Sequence, residues 1–122
     1  MMDIETYLNK DVEVIIDRPL GKPHPRHPNM IYPINYGYLE NTMAPDGHEI
    51  DAYVLGPNEA VESFKGTVIA VIHREDDVEA KLVVAEVFTY TEKEIFEAVW
   101  FTEQYFKSRI VMAKGKGEKC TQ

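Results

Sequence analysis

Apolar positions come in short blocks along most of the chain and switch to a helical spacing only after Thr91. Residues 12–16 are apolar and β-branched, which predicts a strand that stops at Asp17-Arg18-Pro19. Residues 20–29 carry Pro23, Pro25 and Pro28 with His24, Arg26 and His27 between them. Prolines that dense forbid a helix and exclude a central strand, so this segment reads as an extended loop. Residues 31–39 are aromatic and strand-like, with Gly37 marking a bulge or a close backbone approach. Pro45-Asp46-Gly47 is turn chemistry, after which 50–55 reads as a strand that breaks at Gly56-Pro57. The continuous β-branched run 67–72 predicts a buried strand, and 81–87 a further one beyond an acidic loop. Thr91-Glu92-Lys93-Glu94 is a capping box. Ile95, Val99, Phe106 and Ile110, with Phe96 and Tyr105 beside them, extend an amphipathic helix to about Arg109. Five short strands and one late helix predict a mainly β, α+β fold: a small, mostly antiparallel barrel closed by a C-terminal helix.

Composition narrows the class. The 122 residues, 44% of them hydrophobic, suffice for one domain with its own core, leaving about 113–122 as a solvated tail. The longest apolar run, 67–72, is far too short to cross a bilayer. The opening Met1-Met2-Asp3-Ile4-Glu5 lacks a basic segment followed by an apolar one, and the single Cys120 has no partner. A cytoplasmic protein without a membrane partner is the expectation. A net charge of −8 argues against binding nucleic acid, whose phosphates need a basic surface. An acidic protein handles a phosphate anion when divalent cations sit between them, with carboxylates as the metal ligands.

The segment 32–51 concentrates the chemistry: Tyr32-Pro-Ile-Asn35-Tyr36-Gly37-Tyr38, then Asp46-Gly47-His48-Glu49-Ile50-Asp51. Asp46 and Asp51 flank a turn, so their carboxylates can converge on one hard cation. The acidic loop offers Glu75, Asp76, Asp77 and Glu79 from another connection. If both loops meet at one barrel mouth, they supply enough oxygens for paired metals, which acidify a bridging water and neutralise a leaving phosphate. Lys81, Tyr36, Tyr105, Arg18 and Arg26 are candidate phosphate donors. Blander readings accompany each. Acidic turns are commonly just solvated, His24 and His27 read as an exposed loop, and His73 as a hydrogen-bonded edge residue. Trp100, Phe101, Phe106 and Tyr53 read as core. His48, between two motif acids, reads as a site residue. The tail from Lys114 to Lys119 lacks the ending of a phosphate loop.

Taken in order, Tyr-Pro-Ile-Asn-Tyr-Gly-Tyr, Asp-Gly-x-x-x-Asp, Glu-Ala-Lys-Leu-Val and Glu-Gln-Tyr resemble soluble family I inorganic pyrophosphatase over about residues 30–107. The resemblance implies a five-stranded OB-like barrel, magnesium, and hydrolysis of inorganic pyrophosphate to two orthophosphates. It also implies a small phosphate substrate and assembly into a homo-oligomer. Carried over, Asp46, Asp51 and Glu79 match metal ligands, and Glu75 or Asp76 stands near another. Lys81 and Tyr105 match phosphate-binding residues, and Tyr36 a tyrosine of the site wall. His48 stands where the family has an aspartate that holds and deprotonates the attacking water. A histidine there keeps a base near neutrality but is a softer ligand, pointing either toward manganese, cobalt or zinc beside magnesium or toward slow turnover. Phe106 stands where the family has a lysine, removing one phosphate clamp. The N-terminal part is abbreviated, with Asp17-Arg18 standing for a family Asp-Arg pair or Asp17 for a family glutamate, and Arg26 is a candidate replacement cation. A second reading is a non-catalytic barrel binding a metal phosphate or a partner protein. Phe106 and the abbreviated N-terminal part favour it; Asp46, Asp51, Lys81 and Tyr105 oppose it.

Overall fold

The computed structural model describes residues 4–44, 47–75 and 79–113. A 3-10 turn at Ile4–Tyr7 leads into strand β1 (Asp11–Arg18), followed by β2 (Asn35–Leu39), β3 (Ile50–Val54), β4 (Ser63–Arg74) and β5 (Ala80–Ala85). Helix α1 (Glu92–Glu103) and strand β6 (Ser108–Met112) complete the described chain. The sheet runs β1-β2-β3-β5-β4-β6, and a β1–β4 pairing closes its first five strands into a barrel. Mainly β structure, a five-stranded barrel and a late helix are thus as the sequence predicts. Among the described residues no helix is long and apolar enough to cross a membrane.

Two details differ from expectation. First, β3 and β5 pair in parallel. They are neighbours because long β4 turns back on β5 rather than on β3. Second, the helix stops at Glu103 and the stretch expected to continue it to Arg109 becomes β6. The reason lies in β4. Its first half, Ser63 to Thr67, pairs with β1, so its second half has an open edge, which Ser108 to Met112 cover from Arg74 back to Ala70.

Both faces of the central strands are buried, which is why 67–72 reads as an unbroken apolar run. Ala52 and Val54 of β3, Leu82 and Val84 of β5, and Val68 and Val71 of β4 fill the barrel interior with Val14 and Leu39. Tyr53, Leu55, Val83, Ala85, Ile69 and Ala70 face outward and pack under Ile95 and Val99 of α1. Ile69 and Ala70 are sequence neighbours on one face because the β4–β5 register shifts between Val68 and Ala70. The capping box forms as expected, with Thr91 Oγ1 accepting from Glu94 N–H at 3.1 Å and Glu94 accepting from Thr91 N–H at 2.8 Å.

Gly37 allows β1 and β2 to meet. A Cβ there would fall 1.8 Å from the Ile15 carbonyl oxygen, so any side chain collides with backbone. Asp51 pairs with Lys81, and Tyr36 with both Tyr53 and Arg18. By strand alternation Asp51 and Lys81 share the outward row of Tyr53 and Val83. The helix covers that row only in part, and the polar residues occupy what is left open.

Candidate functional site

Lys81 anchors the uncovered part of this row. Its side chain is 6% exposed, and its ammonium lies 2.8 Å from Asp51 Oδ2 and 3.3 Å from Glu79 Oε1. It also donates to Tyr36 Oη at 2.9 Å. An ammonium so enclosed costs less to bury where carboxylates and a phenol surround it. Burial raises the Tyr36 phenol well above its ordinary pKa, and the neighbouring Asp51 carboxylate raises it further. Tyr36 therefore remains a neutral hydroxyl, able to donate to an anion while accepting from Lys81.

Arg74, the last residue of β4, supplies a second buried cation. It grips Glu103 of α1 with Nε at 3.2 Å and Nη2 at 2.8 Å, and Glu79 with Nη1 at 2.7 Å. Its guanidinium sits 3.7 Å from the Phe106 ring centroid. Glu103 is fully buried; burial alone would push its carboxyl up, but bonds from Arg74, Ser108 and Tyr53 together hold it below the ordinary range. Tyr53 Oη donates to Glu103 at 2.6 Å, and burial and that carboxylate push the Tyr53 phenol well up.

The loop after β1 forms the opposite wall. Arg18 Nη1 donates to Tyr32 Oη at 2.7 Å. The loop is held by backbone: Gly21 N–H to Tyr32, Tyr32 N–H to Lys22, His24 N–H to Met30, and a bridge between Pro23 and Ile31. Buried Asn35 accepts from Leu20 N–H at 3.0 Å and Val61 N–H at 3.3 Å, and donates to the Glu59 carbonyl at 3.0 Å. His24 lies nearly parallel to Tyr32, 6.0 Å away, and 4.9 Å from His27. Its Nδ1 accepts from Arg26 N–H at 3.0 Å. Partial desolvation, then the charges of Arg18, His27 and Arg26, lowers its pKa below the usual 6.5. Between this loop and the end of α1 opens a cavity of about 1050 Å³ reaching Lys81, Tyr36, Arg18, Arg74 and Tyr105.

The structure thus gathers five of the sequence-derived candidates, Lys81, Tyr36, Arg18, Arg26 and Tyr105, around one cavity. It sets Asp51 and Glu79 on one ammonium, from two separate chain segments. Asp51 and Glu79 offer hard oxygen donors, the chemistry that divalent cations of the magnesium class take. At present their charge is met by Lys81 and Arg74, and among the described residues no three of His, Cys, Asp or Glu converge. A cation there would draw on these two carboxylates. Glu75 pairs instead with Arg109 of β6 at 3.3 Å, both well exposed. His48 is exposed, its carbonyl accepting from Ala44 N–H. Asp46, Asp76, Asp77 and the segment 114–122 lie outside the described residues.

Some expectations for aromatic residues change. Phe101 and Phe106 are half-buried and line the cavity, and Trp100 is 46% exposed beside Phe96, so none is a buried core residue. Tyr53 is core, and His73 is hydrogen-bonded, 2.8 Å from Glu5. His24 and His27 lie on a loop as expected, His27 exposed and His24 half-buried, and both line the cavity. Arg74 and Glu103 escaped the sequence reading, although a signal exists: Ile95, Val99 and Glu103 follow one helical stripe. An acid on an apolar stripe demands a buried cation, and Arg74 closes the apolar run of β4.

A family model described as inorganic pyrophosphatase matches residues 4–109. An inorganic pyrophosphatase of Pseudomonas aeruginosa is 31% identical over 85 residues, 66% of this chain and 45% of its own length. One of Halalkalibacterium halodurans is 43% identical over 54 residues, 44% of this chain and 28% of its own. The chain spans less than half the length of the curated relatives it matches. In fold it is similar to the inorganic pyrophosphatase of Ehrlichia chaffeensis, with a TM-score of 0.66 and 16% identity over 87% of this chain and 88% of that one. The corresponding structure from Coxiella burnetii gives 0.62 and 17% identity, over 90% and 89%.

Proposed function

The chain belongs to the inorganic pyrophosphatase family, and from that premise we propose that it hydrolyses inorganic pyrophosphate to two orthophosphates with a divalent cation. The observation that carries the reading is the partly enclosed Lys81 ammonium, which joins Asp51, Glu79 and Tyr36 at the foot of a cavity walled by Arg18 and Arg74. Charge of both signs meets there, as a metal–phosphate substrate requires. Lys81 and Arg18 take phosphate oxygens by charge-assisted hydrogen bonds, and Tyr36 donates its retained phenolic proton. Arg26 and Tyr105 reach the substrate from the rim. Arg74, already gripped by two carboxylates, adds positive field in place of the lysine that Phe106 replaces.

Asp51 and Glu79, with Asp46 and an acid among Glu75 and Asp76, are the metal ligands in this reading. A bound cation supplies water of lowered pKa and neutralises the leaving phosphate. His48 accepts the proton of the attacking water, and its imidazole widens the choice from magnesium to manganese, cobalt and zinc. Lys81 holds the departing oxygen while Arg18 fixes the other phosphate in line.

Orthophosphate release from pyrophosphate, measured with each of the four metals, tests this. Turnover with at least one metal, lost in Asp51→Asn, is expected. Background release with all four, unchanged by the substitution, leaves a non-catalytic anion-binding barrel. His48→Asp separates two roles for the histidine: it raises magnesium-dependent turnover if the residue sets metal choice, and abolishes all turnover if it is the base.

A further inference from the structure

The cavity is larger and less polar than two phosphate groups need. Its volume of about 1050 Å³ stands at the upper end of pockets that enclose organic ligands, about 300–1000 Å³. Lys81, Arg18 and Arg74 line its inner part, and Arg26 stands at the rim. The outer walls are Met30 and Ile31 from the loop, Phe101 from the end of α1, and Tyr105 and Phe106 just after it. Ile31 is 51% exposed and Tyr105 67% exposed, and the Tyr105 ring packs on no other ring among the described residues. The Tyr105 hydroxyl can reach a phosphate, but its ring and the side chains of Met30, Ile31, Phe101 and Phe106 offer a hydrated inorganic ion nothing. Such surface binds a flat organic group attached to that ion. The wall is also held in place, since its backbone is pinned by the Pro23–Ile31 bridge and Asn35.

We propose that the outer cavity is a subsite for the organic group of a diphosphate monoester, with a planar ring between Ile31 and Tyr105 and its diphosphate at Lys81 and Arg18. A nucleoside 5′-diphosphate is the simplest member of that class. The inference rests on the phosphoanhydride reading above and names its substrate class. Water attacks the terminal phosphorus, the bond from that phosphorus to the bridging oxygen breaks, and the bridging oxygen leaves on the nucleoside monophosphate. Orthophosphate and one proton are the other products, so no further reactant is needed.

The test compares ADP, methyl diphosphate and inorganic pyrophosphate in calorimetric binding and in orthophosphate release, with the metal that best supports turnover. Methyl diphosphate carries the charge of ADP without its ring. ADP is expected to bind about tenfold or more tightly than methyl diphosphate, the lower range for stacking a base on an aromatic side chain. Ile31→Ser and His24→Ala, both on the loop wall, are expected to reduce that ratio to below about threefold. Their folding is checked by thermal melting. Equal binding of ADP and methyl diphosphate, with pyrophosphate hydrolysed, overturns the subsite and leaves the hydrolytic reading standing. Ring-dependent binding of ADP without release of phosphate from any of the three upholds the subsite and overturns hydrolysis. Binding of none overturns both.

Discussion

Lys81 is enclosed by two carboxylates and a phenol, yet one side of it opens on a cavity. Its partners hold the ammonium in place, and the opening lets an anion reach it. Removing the charge while keeping the stem isolates this role. Lys81→Met is expected to lower kcat/KM for pyrophosphate by about 100-fold or more, the usual cost of one positioned donor, as measured by steady-state phosphate release. The sequence singled out Asp51 through the Asp-Gly-x-x-x-Asp motif, since an acidic turn by itself reads as a solvated loop, and the structure puts it 2.8 Å from Lys81. Arg74 was not legible, since a lone arginine at a strand end resembles any surface cation until Glu103 is placed opposite it. Glu75, in the acidic loop, pairs with Arg109, a partner that follows from a strand the pattern concealed.

That strand is the main lesson at the scale of elements. Phe106 and Ile110 continue the helical stripe, so local periodicity favoured a longer helix. The open edge of β4 decided otherwise, and a sheet edge is a tertiary fact with no local signature. The turns, the capping box and the β-branched runs were legible because each is set by neighbouring residues. Where β1 crosses β2, Gly37→Ala drives a methyl into the Ile15 carbonyl. Chemical denaturation should show a loss of about 3 kcal/mol or more, at the top of the range for overpacking. Where α1 meets β4, Glu103→Gln removes the buried one of the two carboxylates on Arg74, leaving only the partly exposed Glu79. A loss of about 3 kcal/mol is expected for breaking such a buried pair. The same carboxyl gives a pH signature. Its folded pKa is depressed, so its contribution is complete above the ordinary 4.5 and disappears as pH falls through the lower folded value. Acid titration of stability should therefore be shallower in Glu103→Gln than in the wild type below pH 4.5.

Across the whole molecule, charge is distributed unevenly. The chain carries 21 acids against 13 basic residues, yet Arg18, Arg26, Arg74 and Lys81 share one cavity. Clefts lined by one sign of charge focus potential, so an anion finds a binding place on a protein that otherwise repels it. In the proposed reaction the Asp51 and Glu79 carboxylates would repel each other if Lys81 turned to substrate, and a divalent cation would relieve them. Manganese or magnesium with a non-hydrolysed pyrophosphate analogue should raise the melting temperature by mass action, and the rise should shrink in Asp51→Asn. This readout is independent of turnover.

The most direct measurement is a crystal structure with manganese and imidodiphosphate. Anomalous density next to Asp51 and Glu79, with analogue oxygens in hydrogen-bond reach of Lys81 Nζ and Tyr36 Oη, is the result this account predicts. Analogue or manganese bound elsewhere, with Lys81 still closed on Asp51 and Glu79, would contradict it.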